Sequence, residues 1–339
     1  FFKSYIELQP NDIQAYYSLG ICYREVGDIQ MAEKTFSKAI KINPEYPYLK
    51  GQLQFMKNHL CDWGNYNQSK KNIEEDIVKN IKTITPWQAL SVIESPKLLK
   101  ENTTLFINNK EFKNKDLIDK KKITLGYFSP DFCEHAVSNQ FKQILKLHDK
   151  KKFEIIGFYL NSKQDEKLYE IKNYFDKFFD INQMTTNDII KLSEAQKVDI
   201  AIDLAGYTYG NRYQVFNQRC APIQVSYLGF AGSTGLNNMD YLIADKTVIP
   251  HDCRKFYSEK IIYMPNTFMP GDDTQKISNE NLKRKDFGIP NNAVVYCCFN
   301  KSYKITPDVF DIWIDIINEV ENSVLWLNIS NDQTKLNII

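Results

Sequence analysis

Two short stretches hold the residue types that acid–base and anion chemistry require. In Ser129-Pro130-Asp131-Phe132-Cys133-Glu134-His135 a carboxylate and an imidazole stand four residues apart, just ahead of the apolar periodicity that starts at Val137. At a helix N-terminus such a pair suits general-base work or the positioning of an anion. It suits equally a plain arrangement in which Asp131 caps the helix and His135 lies on the surface. In Asn300-Lys301-Ser302-Tyr303-Lys304 two cations follow an apolar run; they suit a diphosphate, or a solvated loop. Two glycine-bearing stretches lie between. In 203–212, Gly206 and Gly210 permit close backbone approach or positive φ, and Arg212 has the reach for a phosphate or for solvent. In 228–235, the run Leu228-Gly229-Phe230-Ala231-Gly232-Ser233-Thr234-Gly235 offers backbone for packing against a sugar, although it is not a GxGxxG fingerprint.

Each stretch follows a strand-length apolar run. Such runs occupy 123–128, 153–160, 198–204, 223–228, 241–244 and 261–263, and helical patterns cover 137–147 and 187–196. That alternation predicts βαβ units with a parallel sheet, whose ligands bind at the carboxyl ends of the strands. A polar, Pro/Gly-punctuated linker over 265–290 precedes a second α/β unit with strands at 294–299 and 324–327 and a helix opened by Pro307.

The first part of the chain has a different period. Phe2 and Phe36 lie 34 residues apart, as do Pro10 and Pro44, and 34 is the tetratricopeptide repeat length. Tyr16, Leu19, Gly20 and Tyr23 fit the first helix of such a unit, Gly27 its turn, and Ala32, Phe36 and Ala39 the second. Gly20 and Ala32 are small where the helices cross, and Pro44 stops the second. Residue 1 falls within the second helix of a preceding unit, so further repeats are expected upstream. The pattern dissolves at Lys57, and Cys61-Asp62-Trp63 reads as the end of a helix capping the array. The expected organisation is therefore repeats and cap over 1–63, a helical linker over 64–122 interrupted by Pro86 and Pro96 and ending in a flexible loop near 102–122, an α/β lobe over 123–264, the linker over 265–290, and the start of a second lobe over 291–339.

Lys and Arg number 43 against 42 Asp and Glu, which leaves no net field to draw the chain to nucleic acid or an anionic membrane. Seven cysteines without a CxxC pair suggest reduced thiols, not a disulfide framework or zinc site. No apolar run approaches a membrane span and the first residues are no signal peptide, so a cytoplasmic or nucleocytoplasmic protein is expected.

The repeat, Cys61-Asp62-Trp63, Gly126-Tyr127-Phe128-Ser129-Pro130-Asp131-Phe132 with His135, Gly206-Tyr207-Thr208 with Gly210 and Arg212, Ala221-Pro222-Ile223-Gln224-Val225, Leu228-Gly229, Tyr257-Ser258-Glu259-Lys260 and Phe299-Asn300 with Tyr303-Lys304 are collinear over nearly the whole chain. Together they resemble the tetratricopeptide-bearing protein O-glycosyltransferases of the O-GlcNAc transferase and Spindly type. The resemblance implies an α + α/β chain: a tetratricopeptide repeat, a GT-B Rossmann-like lobe and the opening of a second one. It implies inverting, metal-independent transfer of a sugar, GlcNAc first, from a nucleotide diphosphate donor such as UDP-GlcNAc to Ser or Thr of proteins bound by the repeats, with no further cofactor. In that family His135 and Asp131 match the pair beside donor and acceptor hydroxyl, Lys304 the lysine that neutralises the diphosphate, Leu228 and Gly229 the wall of the sugar pocket, and Asn300 and Lys301 the nucleotide side. The chain departs from the family at Asn139 and Ala231, which leaves GlcNAc and fucose both open, at Ser18, where the family often has an asparagine that binds acceptor backbone, and at Lys301, where many relatives have an amide. The family's later nucleotide-binding loops do not occur before residue 339, so this stretch alone is expected to be inactive. The alternative is a non-catalytic tetratricopeptide scaffold with a vestigial α/β lobe; a small-molecule transferase is disfavoured by the repeats.

Overall fold

The computed structural model describes residues 1–110, 115–117 and 119–338. The chain forms two compact units, Phe1–Glu94 with Ile277–Ile339, and Ser95–Lys276. In the first, α1 (Phe2–Leu8), α2 (Ile13–Glu25) and α3 (Ile29–Ile42) form the repeat. Asp12 and Asp28 cap α2 and α3, their carboxylates each accepting a backbone N–H at 3.1 Å, from Ala15 and Met31. Ala32, Phe36 and Ala39 are fully buried. Gly20 is there for contact: a Cβ at that position would lie 2.4 Å from the Phe36 ring. The helices α4 (Leu49–His59), α5 (Tyr66–Val78) and α6 (Pro86–Ala89) follow. Gly51 of α4 meets the backbone of Ile84, where a Cβ would stand 2.7 Å from the Ile84 Cα.

The second unit opens with α7 (Pro96–Phe106). Here the prolines start helices instead of interrupting them: Pro86 and Pro96 occupy the first turns of α6 and α7, where the missing N–H costs nothing. The expected loop near 102–122 is corrected at its beginning, because Asn102 and Thr103 are buried on α7 and Gly235 packs on the Thr103 methyl and Ile107. Residues 111–114 and 118 of that loop lie outside the described residues.

Seven parallel strands follow: β1 (Ile123–Ser129), β2 (Phe153–Tyr159), β3 (Lys177–Asp180), β4 (Ile200–Asp203), β5 (Ile223–Ser226), β6 (Tyr241–Ala244) and β7 (Lys260–Tyr263). Between them run α8 (Ala136–Leu147), α9 (Glu166–Lys172), α10 (Thr186–Ala195) and α11 (Tyr213–Asn217). The sheet order is β3-β2-β1-β4-β5-β6-β7, so the chain reverses direction across the sheet between β1 and β4. The core is aromatic; Phe128 of β1 stacks on Phe158 of β2 at 4.2 Å. The strand missed in the sequence is β3, a four-residue edge strand whose ends are exposed and whose middle is half-buried.

Residues 277–339 return to the first unit. They form β8 (Val294–Cys298), a 3-10 turn over Ser302–Lys304, α12 (Pro307–Glu319), β9 (Ser323–Leu327) and α13 (Asp332–Ile338), with β9 parallel to β8. Trp63 packs on Phe310 of α12 at 5.2 Å, so the apolar end of the repeat is covered by this segment.

A methyl group at residue 20 has no room beside Phe36. We expect Gly20→Ala to destabilise the repeat unit by ~1–3 kcal/mol despite alanine's better helix propensity, measured by denaturant unfolding. An unchanged or raised midpoint would show that the helix crossing tolerates a Cβ.

Candidate functional site

The reversal between β1 and β4 places a crevice at their carboxyl ends, the position where open α/β sheets bind ligands. Asp131 and His135 lie in the loop leaving β1. The Asp131 N–H donates to Ser129 Oγ at 3.0 Å, and its carbonyl accepts from Ser138 Oγ of α8. His135 is the N-cap of α8: Val137 N–H donates to its Nδ1 at 3.3 Å. The helix is thus capped by the imidazole, not by Asp131. His135 Nδ1 stands 3.6 Å from Asp131 Oδ2, with the carboxylate largely buried and the imidazole half exposed. Burial pushes the Asp131 carboxyl up and His135 works against that rise. Two protonation patterns follow. While Nδ1 accepts from Val137, the neutral ring carries its proton on Nε2 and is a donor for an anion. With the proton on Nδ1, facing Asp131, Nε2 is free to act as a base.

Three glycines lace the exits of β1, β4 and β5 together. A Cβ at Gly210 would meet Pro130 at 2.9 Å, one at Gly206 would meet Phe230 at 2.4 Å, and one at Gly229 would meet the Leu204 carbonyl oxygen at 2.2 Å. Gly206 and Gly210 also have positive φ, which only glycine adopts freely. Leu228, half-buried against the core, has φ +72°. The loop it opens is held from within by Glu259, which is 5% exposed. That carboxylate accepts Ser233 Oγ at 2.8 Å, Thr234 N–H at 2.6 Å and the Thr234 hydroxyl. Tyr207 donates to the Thr234 carbonyl at 2.5 Å. Leu228 and Gly229 are therefore brought into one cluster of loops with Asp131 and His135.

Two residues differ from expectation. The half-buried Arg212 is engaged by backbone: its Nη2 donates to the carbonyls of Asn182 and Met184 at 3.0 Å each, tying the β4 exit to the chain beyond β3. Asp203, which opens the 203–212 stretch but was given no role there, ends β4 fully buried, its Oδ1 accepting Ala205 N–H at 2.9 Å and Gly206 N–H at 3.1 Å. Burial pushes its carboxyl up to about 6, against those two hydrogen bonds. An acid closing a strand at a Gly-bearing exit is the signal that would have found it.

Asn300, Lys301 and Lys304 belong to the other unit. Asn300 Nδ2 lies 3.7 Å from Cys298 Sγ, and Lys304 N–H closes the 3-10 turn onto the Lys301 carbonyl at 3.0 Å. Both lysines are exposed. His59 at the end of α4 is pushed down to about 4 by burial and by the charges of Lys301 and Arg24. Among the described residues no group of three or more His, Cys, Asp or Glu side chains could hold a metal ion, and no helix is long and apolar enough to cross a membrane.

A tetratricopeptide hairpin joined to a parallel Rossmann-like lobe with its loops gathered at the switch point defines the class. The chain belongs to glycosyl transferase family 41, whose model matches residues 97–283 and 278–337, and a tetratricopeptide repeat matches 13–46. It is 35% identical over 213 residues to the probable UDP-N-acetylglucosamine–peptide N-acetylglucosaminyltransferase SEC of Arabidopsis thaliana, covering 61% of this chain. It is 30% identical over 212 residues to the SPINDLY protein of the same plant, covering 60% of this chain. The chain spans about a fifth of these relatives, 22% of each. A solved structure of a Thermobaculum terrenum O-GlcNAc transferase mutant shares the fold, with TM-score 0.76 at 18% identity over 99% of this chain and 66% of its own.

Asp203 gives the second unit a pH signature. Its folded-state value of about 6 lies above the ordinary 3.8, so its contribution is present below about pH 4 and is lost as pH rises through 6. We expect wild-type stability to fall by on the order of 2–3 kcal/mol across that window from this group. Asp203→Asn, which keeps an oxygen acceptor for both N–H groups, should flatten the curve in thermal melts at stepped pH. An unchanged slope would place the titration elsewhere.

Proposed function

We propose that the whole protein transfers a sugar, GlcNAc in the first place, from a nucleotide diphosphate donor to Ser or Thr hydroxyls of proteins, with inversion and without a metal. The observation that carries this reading is the Asp131–His135 pair at the β1/β4 switch point, in a chain of glycosyl transferase family 41. The relatives' names supply the donor, UDP-N-acetylglucosamine, and the peptide acceptor. In the proposed reaction the acceptor oxygen attacks the anomeric carbon opposite the leaving group and the bond to the diphosphate breaks. The hydroxyl proton passes to Asp131 directly or by relay, while His135 orients the hydroxyl or a phosphate oxygen. Lys304 takes up the charge that develops on the diphosphate, an interaction stronger in the transition state than in the ground state. Leu228 and Gly229 line the sugar; Asn300 and Lys301 flank the nucleotide. The tetratricopeptide repeats hold protein substrates along the array, no cofactor beyond the donor is required, and the setting is cytoplasmic or nucleocytoplasmic.

The test is sugar transfer by the full-length protein to Ser/Thr peptides from UDP-GlcNAc and, in parallel, GDP-fucose. Turnover with one donor is expected, and Lys304→Ala should lower kcat by about 100-fold or more. Turnover retained in that variant would remove Lys304 from the diphosphate role. No transfer from either donor would leave the protein a scaffold.

A further inference from the structure

An α-helix leaves its last carbonyls without intrahelical donors. At the end of α4 those carbonyls are satisfied by residues more than 240 positions further along the chain. Ser302 Oγ donates to the His59 carbonyl at 2.6 Å and Thr334 Oγ1 donates to the same oxygen at 3.1 Å. Asn337 Nδ2 donates to the Leu60 carbonyl at 2.8 Å. Side chains close the same contact: the Tyr303 ring lies 5.0 Å from Phe55 and 4.8 Å from His59, and those two rings meet edge-on at 4.8 Å. Cys61 Sγ reaches the Ser302 carbonyl at 3.9 Å.

Ser302 and Tyr303 are flanked by Lys301 and Lys304, and the four residues form one hydrogen-bonded turn. Ile305, directly after it, is buried. Both ammonium groups therefore stand on a turn whose middle is bolted to the repeat. We propose that α4 is the positioning element for Lys304, fixing where its charge stands for a nucleoside diphosphate, with Ser302 and His59 as positioning residues. This rests on the proposed function, which assigns Lys304 to the diphosphate. It adds that the tetratricopeptide unit sets the donor lysine as well as holding acceptors, so that a change at the end of the array is felt in diphosphate binding.

A nucleoside diphosphate and its monophosphate separate positioning from general damage, since a misplaced cation weakens only the contact to the second phosphate. In the full-length protein, binding of UDP and UMP is measured by calorimetry, with thermal melts to confirm folding. Ser302→Ala and His59→Ala should each weaken UDP by roughly 3- to 10-fold, the worth of one modest contact, and UMP by less than about twofold. Ser302→Thr, which keeps the hydroxyl, should restore UDP binding. Lys304→Ala should itself weaken UDP selectively, and adding Ser302→Ala to it should cost nothing more, because residues acting through one group are not additive. Equal weakening of UDP and UMP, or an additive double variant, would overturn the positioning role while the assignment of Lys304 stands. A Lys304→Ala variant with unaltered UDP affinity would overturn that assignment, and with it this inference.

Discussion

The carboxyl edge of the sheet depends on one close approach, the Gly229 backbone against the Leu204 carbonyl, where any Cβ would come within 2.2 Å of the oxygen. That contact draws the β5 exit across the β4 exit. Phe230, the next residue, then has to lie over Gly206, and the β4 loop closes on Pro130 through Gly210. Leu228 is turned into the left-handed region to deliver Gly229, at a cost of roughly 1–2 kcal/mol for a side chain with a Cβ. The hydrogen bonds from Ser233 and Thr234 to buried Glu259 hold the loop in that conformation. A carboxylate buried this deeply is tolerable only when hydrogen-bonded, so the Tyr257-Ser258-Glu259-Lys260 segment is tied to the glycine loop for a physical reason.

The first unit is organised by a similar need. The helix α4 ends in carbonyls that must find donors, and the donors come from Ser302, Thr334 and Asn337. A terminal repeat ordinarily meets solvent with a polar face; here Phe55, His59 and Trp63 present rings, and Tyr303 and Phe310 cover them. The repeat and the 277–339 segment are accordingly one body, although nothing local in either sequence announces the partner.

What could be read in the sequence divides along the same line. The repeat was legible because Gly20, Ala32 and Phe36 act through a fixed 34-residue geometry, and six strands of the sheet were legible as apolar runs. The Asp131–His135 pair was legible as spacing, but its capping was not, since an imidazole in place of a hydroxyl or carboxylate is outside the usual N-cap set. Short edge strand β3 carries too few residues for a period to register. The backbone bonds of Arg212 and the end of α7 were not legible for one reason: their partners, the Asn182 and Met184 carbonyls and the loop at Gly235, are tertiary. Pro96 was taken as a break when Ser95 ahead of it makes it a start.

The contrast between the two acids at the switch point bears on their roles. Asp203 is fully buried and spends Oδ1 on two backbone N–H groups, so it shapes the β4 loop. Asp131 is buried less completely, its structural bonds are made by its backbone N–H and carbonyl, and its carboxylate is left facing His135. Burial strengthens a carboxylate as a base, because the charged form is disfavoured, while the half-exposed imidazole beside it offers a path for the proton to solvent. Of the two, only Asp131 combines raised proton affinity with an open neighbour, and on the proposed reaction that combination is what a hydroxyl about to become a nucleophile needs.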